Sequence, residues 1–204
     1  MYTPSDRSIT AAVEAFEHHS GVMRTHEALD SGIQPRTLYW MLNAGMLERF
    51  TRGVYYLASH PLPAQPDVVA VMQRVPGAVL CLISALNFHG IGTQIPREVQ
   101  IALPRDTKAP RITQPRVRAF TMDTASFAAG VEEHLMGRTP IRVFGIAKTV
   151  ADCFKFRNKI GQDVAIEALQ EVIRSRSATP AQVLEFAEID RVARIVRPYL
   201  DALL

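Results

Sequence analysis

Apolar positions in the first sixty residues follow three short helical patterns and then an alternating pair. Ile9, Ala12, Val13 and Phe16 recur at helical spacing and predict a helix over residues 8–19, broken by Ser20-Gly21. Val22, Ala28 and Leu29 predict a second helix over 22–29, and Asp30-Ser31-Gly32 makes a turn. In the next segment Pro35 fits the first position of a helix, where its missing N–H costs nothing. Gln34 is then the N-cap, and Ile33 and Leu38 are placed to form a hydrophobic staple across it. Leu38, Met41 and Leu42 form the packing stripe, and Gly45 is the expected left-handed stop. Residues 47–50 and 54–58 then read as two strands around Thr51-Arg52-Gly53. The order helix, helix, turn, helix, hairpin is that of a winged helix-turn-helix.

Pro61, Pro63 and Pro66 disfavour both helix and interior strand. They place a linker at 61–66, between a first domain over 1–60 and a second over 67–204. The second domain begins with helical patterns at 67–75 and 78–89. Strand candidates follow at 98–103, 116–122, 132–136 and 141–144. Helices are predicted at 145–157 and 162–174, then from Thr179-Pro180 and on to the C-terminus. The expected fold class is α+β: an N-terminal winged helix-turn-helix, then an α+β domain with a small, mostly antiparallel sheet and C-terminal helices.

Composition narrows the classes. Apolar residues make up 48% of the 204, enough for a core and against general disorder. No apolar run approaches the ~20 residues of a membrane span, and residues 1–10 are too polar for a signal peptide, so a cytoplasmic protein is expected. Cys81 and Cys153 sit in apolar surroundings and read as buried, reduced thiols. The formal charge of +3 is weak evidence for nucleic acid by itself, but its distribution is informative. Arg36, Arg49 and Arg52 face only Glu48 between residues 31 and 60. In residues 1–30, Arg7 and Arg24 are outnumbered by Asp6, Glu14, Glu17, Glu27 and Asp30. Positive charge thus gathers on the third helix and the hairpin.

On that helix Arg36, Tyr39, Trp40 and Asn43 recur at i, i+3, i+4 and i+7, opposite the packing stripe. Arg and Asn can each bind a base edge in two places, worth roughly 1–3 kcal/mol of discrimination per pair. Tyr can donate to phosphate, and an aromatic ring can meet a thymine methyl. Thr37 lies near the helix N-terminus, where phosphate is favoured. Arg49, Thr51 and Arg52 place a basic hairpin beside a backbone or minor groove. The alternatives are that Tyr39 or Trp40 packs against protein and that the hairpin turn is only solvated. A second basic region, from Arg97 to Arg118, offers Arg105, Lys108 and Arg111 on an exposed loop as a secondary nucleic-acid contact, or as a solvated loop.

Enzyme chemistry finds little support. No phosphate-binding loop, nucleophile elbow or zinc-protease motif is present, so neither a catalytic residue nor a cofactor is expected. Glu132, Glu133 and His134 are consecutive on a predicted strand and face opposite sides, a poor metal cluster. His89 reads as a helix-end cap. Lys148, Asp152 and Lys155 at i, i+4 and i+7 read as a solvated ion-pair stripe, with a functional surface as the alternative. Arg191, Arg194 and Arg197 read as the wet face of the last helix.

The stretch THEALDSGIQPRTLYWMLNAGMLERFTRGVYYLA, residues 25–58, resembles the winged-helix domain of AbiEi-type antitoxins of type IV toxin–antitoxin systems. It carries the pattern G-I-x-x-R-T-L-Y, then G-x-L-E-R-x-x-R-G-V-Y. CLISALNFHGIG at 81–92 and IRVFGIAKTVADCFKFRNKIGQDVAIEAL at 141–169 are also similar to that family; residues 170–204 match only in helical character. The resemblance implies a repressor that binds double-stranded DNA at inverted repeats in its own promoter, with a homodimer on DNA as an open arrangement. It also implies an antitoxin that counters a nucleotidyltransferase toxin without a stable complex. Many members are longer than this chain. The alternatives are an orphan regulator without antitoxin activity, or a protein-interaction module.

Overall fold

The computed structural model describes residues 2–203 except Ser20, Pro61, Leu62, Pro63 and Arg138; for Phe50 and Thr51 only the backbone is described. Ser20 of the expected helix break and the first prolines of the expected linker therefore lie outside the described residues. Residues 1–74 together with 135–140 form one compact unit, and residues 75–134 together with 141–204 a second.

In the first unit, helix α1 (Asp6–His18) starts at Ser5, whose side chain accepts from the Ser8 N–H, and it buries Ala12 and Phe16. Strand β1 (Val22–Arg24) leads into α2 (Thr25–Asp30) and α3 (Pro35–Asn43). Strands β2 (Leu47–Thr51) and β3 (Val54–Leu57) form the hairpin, and α4 (Pro66–Arg74) follows. The three strands form an antiparallel sheet in the order β1-β3-β2. Gly53, at φ 79, supplies the turn conformation that a residue with a Cβ resists. Phe16, Met23, Ala28, Ile33, Leu38, Met41, Leu47, Tyr55 and Leu57 make the core. The helix expected over 22–29 is shorter: residues 22–24 are a strand, with Val22 opposite Tyr56 and Met23 opposite Tyr55. Pairing with the hairpin decides their conformation, because it buries both side chains and satisfies their backbone.

The second unit opens with β4 (Val79–Leu80), α5 (Leu82–Phe88), β5 (Val99–Pro104) and β6 (Val117–Met122). The chain continues through α6 (Thr124–Ala128), β7 (Val131–Met136) and β8 (Thr139–Phe144), of which residues 135–140 belong to the first unit. The helices α7 (Ile146–Lys155), α8 (Arg157–Ile160), α9 (Gln162–Ser175), α10 (Pro180–Ile189) and α11 (Ala193–Asp201) complete it. Residues 78–80 are not part of the helix expected there: Val79 and Leu80 form a fully buried strand in the middle of the sheet.

The strand order is β6-β5-β4-β8-β7, and the sheet is mixed where a mostly antiparallel one was expected. β5 runs antiparallel to β4 but parallel to β6, and β4 runs parallel to β8. A parallel neighbour requires a long crossover rather than a tight turn, and the basic loop between β5 and β6 is that crossover. Helix α7 packs against α5, α9, α10 and α11. Every residue of α7 from Ala147 to Phe154 is buried.

Candidate nucleic-acid interface

The third helix is held by its ends and its inner face. Gln34 adopts the extended N-cap conformation, Pro35 occupies the first helical position, and Ile33 and Leu38 are both buried across it. At the other end the Gly45 N–H donates to the Leu42 carbonyl at 3.2 Å and the Met46 N–H to the Met41 carbonyl at 3.0 Å. This is the paired closure of a Schellman motif, with Gly45 at φ 71 in the left-handed position. Packing and the C-terminal closure are therefore made without the outer residues.

The outer face is open but not uniform. Arg36 and Asn43 are exposed, and Tyr39 is 59% exposed, unusual for so large a ring. Trp40 is only partly buried and packs against the core, so its ring is divided between protein and solvent. Thr37 departs from the expected row: it is buried at 3% exposure, and its hydroxyl lies 3.2 Å from that of Tyr2. It sits one position from the buried Leu38, on the side of the helix that turns inward. The sequence reading missed Tyr2 altogether. The Arg36 guanidinium stacks over the Tyr2 ring at 4.5 Å, and its Nε donates to Gln34 Oε1 at 2.7 Å. Those contacts pre-orient an exposed arginine, and Tyr2 lies too far away in sequence for periodicity to link the two.

On the hairpin, Arg49 is exposed, with its guanidinium 5.9 Å from the Tyr55 ring, and Arg52 is exposed at the turn. The side chain of Thr51 lies outside the described residues. In the second unit Arg105, Lys108 and Arg111 are all exposed on the crossover loop.

The stripe on α7 is the main correction. Lys148 and Asp152 are not solvated; both are fully buried. The Lys148 ammonium lies 2.5 Å from Asp152 Oδ1, 3.1 Å from Asp190 Oδ2 and 4.7 Å from the centre of the Phe144 ring. Lys155 Nζ donates to Asp190 Oδ1 at 3.0 Å and to Ser126 Oγ at 2.9 Å, while Ser126 donates to Asp190 Oδ1 at 2.6 Å. Burial pushes the Asp152 carboxyl well above its ordinary range, against the pull of Lys148. Burial also works to raise Asp190, but Lys148, Ser126, Asp152 and Lys155 together hold it below its ordinary value. The two acids are thus pushed in opposite directions, Asp190 down and Asp152 up. An α7 with no wet face is the signal that was available: Ala147, Val150, Ala151, Cys153 and Phe154 surround the two charged positions.

The other titratable groups have structural explanations. His89 caps α5, and its Nε2 lies 2.8 Å from the Phe144 carbonyl. Glu132 pairs with His134 at 3.0 Å, Glu133 reaches Arg142 at 3.9 Å, and no group of three metal-binding side chains occurs among the described residues. Cys81 and Cys153 are free and buried, and burial raises both thiols, which leaves them protonated. Arg194 and Arg197 are exposed on α11, as expected of a wet face, whereas Arg191, also exposed, lies before the helix in the turn from α10. No helix among the described residues is long and apolar enough to cross a membrane.

Residues 11–58 match the family model of the AbiEi antitoxin transcriptional regulators, so the helix-turn-helix segment is similar to that family. Among solved structures, the RV2827C protein from Mycobacterium tuberculosis is similar over 98% of this chain and 83% of its own, with a TM-score of 0.54. At 14% identity that likeness is one of fold alone. No curated protein matches the chain.

Proposed function

With an AbiEi-type regulator segment at residues 11–58 as the premise, we propose that this protein is a sequence-specific DNA-binding repressor. It would act on inverted repeats in its own promoter, with two copies on the two half-sites. The observation that carries the reading is the outer face of α3. Arg36, Tyr39 and Asn43 stand exposed on a helix whose packing and C-terminal closure are made by other residues. Trp40 contributes the edge of its ring, and Arg49 and Arg52 hold the flanking phosphates. Thr37 has no place in the contact, since it is buried. Lys108 and Arg111 on the crossover loop are the secondary phosphate contacts.

The second unit supplies the antitoxin role of a type IV system, countering a nucleotidyltransferase-like toxin without a stable complex. Co-expression with a toxin encoded beside it checks that role through growth rescue.

The DNA reading is tested by gel shift on the DNA upstream of the gene. Wild type retards it, and affinity falls steeply with salt, as counterion release demands. Arg36→Ala combined with Arg52→Ala abolishes the shift. A double variant that binds as well as wild type overturns the assignment of these residues. A flat salt response, together with a stable protein complex, favours an interaction module instead.

A further inference from the structure

The buried charges of the second unit open at one side onto a cleft of about 310 Å³ that takes no part in the DNA reading. Arg105, Asp123, Lys155, Ile189, Asp190 and Arg191 line it. These residues come from three separate places: the end of β5 with the N-cap of α6, the end of α7, and the junction of α10 with α11. Three basic side chains therefore converge from distant parts of the chain.

The charges there are not balanced locally. Asp190 is bound from behind by Lys148, at 3.1 Å, and accepts from Ser126. Lys155 donates to Asp190 and Ser126, and its ammonium lies 3.7 Å from Asp123 Oδ2. Neither the Arg105 nor the Arg191 guanidinium makes a hydrogen bond or close ion pair among the described residues; Arg105 only lowers Asp123 from a distance. Arg191 is also held at φ 60, a left-handed conformation that costs a side-chain-bearing residue energy. The lining thus sets three basic side chains, Lys155, Arg105 and Arg191, against the two acids Asp123 and Asp190.

We propose that this cleft binds the phosphate group of a small phosphorylated metabolite. Arg105, Lys155 and Arg191 are its cationic ligands, and Asp123 accepts from a neighbouring hydroxyl. Converging arginine forks and a lysine suit the several acceptor oxygens of a phosphate. The lining offers no aromatic ring for a base to stack on, and Ile189 is its one apolar side chain. That composition favours a phosphorylated polyol over a nucleotide. The site is independent of the α3 surface and stands or falls separately from it.

Isothermal titration of the full chain with inorganic phosphate, then with glycerol 3-phosphate, tests the proposal at constant ionic strength in chloride. Both bind, with a Kd at or below about 1 mM, and glycerol 3-phosphate binds more tightly. Arg105→Ala with Arg191→Asn weakens binding at least about tenfold, equivalent to about 1.4 kcal/mol. Both positions are exposed, and asparagine tolerates the left-handed backbone, so circular dichroism should show an unchanged fold. Lys108→Ala with Arg111→Ala leaves phosphate binding unchanged. Absence of phosphate binding to the wild type, or equal binding by the Arg105/Arg191 variant, overturns the site. So does a variant that loses promoter DNA while the wild type binds no free phosphate, since the cleft then belongs to a nucleic-acid surface.

Discussion

Helix α3 carries its polar row at the surface of the first unit, and α7 carries one through the interior of the second. Both rows use helical spacing: Arg36, Tyr39, Trp40 and Asn43 in one, Lys148, Asp152 and Lys155 in the other. Only what lies against them differs. The α3 row, apart from the packed side of Trp40, meets solvent, so its exposed residue types are free to serve a ligand. In α7 the charges meet α6 and α10, and removing Lys148 or Asp152 from water is costly unless each contact is met. An open row should therefore fail in binding and a closed row in folding.

The closed row gives the largest effect. Lys148→Ala leaves Asp190 buried without its central partner and costs about 3–5 kcal/mol, read as a lowered urea midpoint by circular dichroism. Next comes the open row. Arg36→Ala weakens promoter binding by roughly 1–3 kcal/mol in a gel-shift titration while leaving thermal stability within about 0.5 kcal/mol. A large loss of stability there would erase the distinction between the rows.

A smaller effect separates the two acids of the closed row by pH. Below about pH 4 both the folded and the unfolded chain keep the Asp152 proton. At higher pH the unfolded chain releases it and the folded chain holds it, so Asp152 lowers stability as pH rises toward its raised value. Asp190 acts in the opposite sense: its contribution is present above about pH 4 and is lost as pH falls through its lowered value. Asp152→Asn removes the first slope, at most about 1.4 kcal/mol per pH unit. Urea midpoints followed upward from about pH 4 should therefore fall for wild type relative to the variant. The smallest effect concerns the frame of the open row. Gly45→Ala costs about 1 kcal/mol in thermal melts, through the left-handed backbone alone, because nothing lies within 4 Å of the added Cβ.

The same contrast explains what was legible in the sequence. Helix α3 was readable because its determinants are local: Pro35, the Ile33–Leu38 pair and Gly45 lie within fourteen residues of one another. Strand β1 was not, because Val22 and Met23 carry the apolar character of a helix start and become a strand only by pairing with Tyr56 and Tyr55. The parallel pairing of β5 with β6 was hidden for a related reason, since a loop sequence does not state which way its strand returns. Lys148 and Asp152 looked like an exposed pair because their deciding partner, Asp190, arrives from α10. Trp40 was undecided between groove and protein, and its ring is divided between them.

The burial of Lys148 also imposes an order on synthesis. The apolar core of the first unit is drawn from residues 12–57, so it can close while most of the chain is still unmade. Lys148 must wait 42 residues for Asp190. Until α10 emerges, α7 has a charged side chain that its apolar neighbours cannot accommodate. A growing chain would therefore hold a finished helix-turn-helix well before its second unit can lock, and a message cut short before residue 190 would release a regulator segment without a stable partner unit.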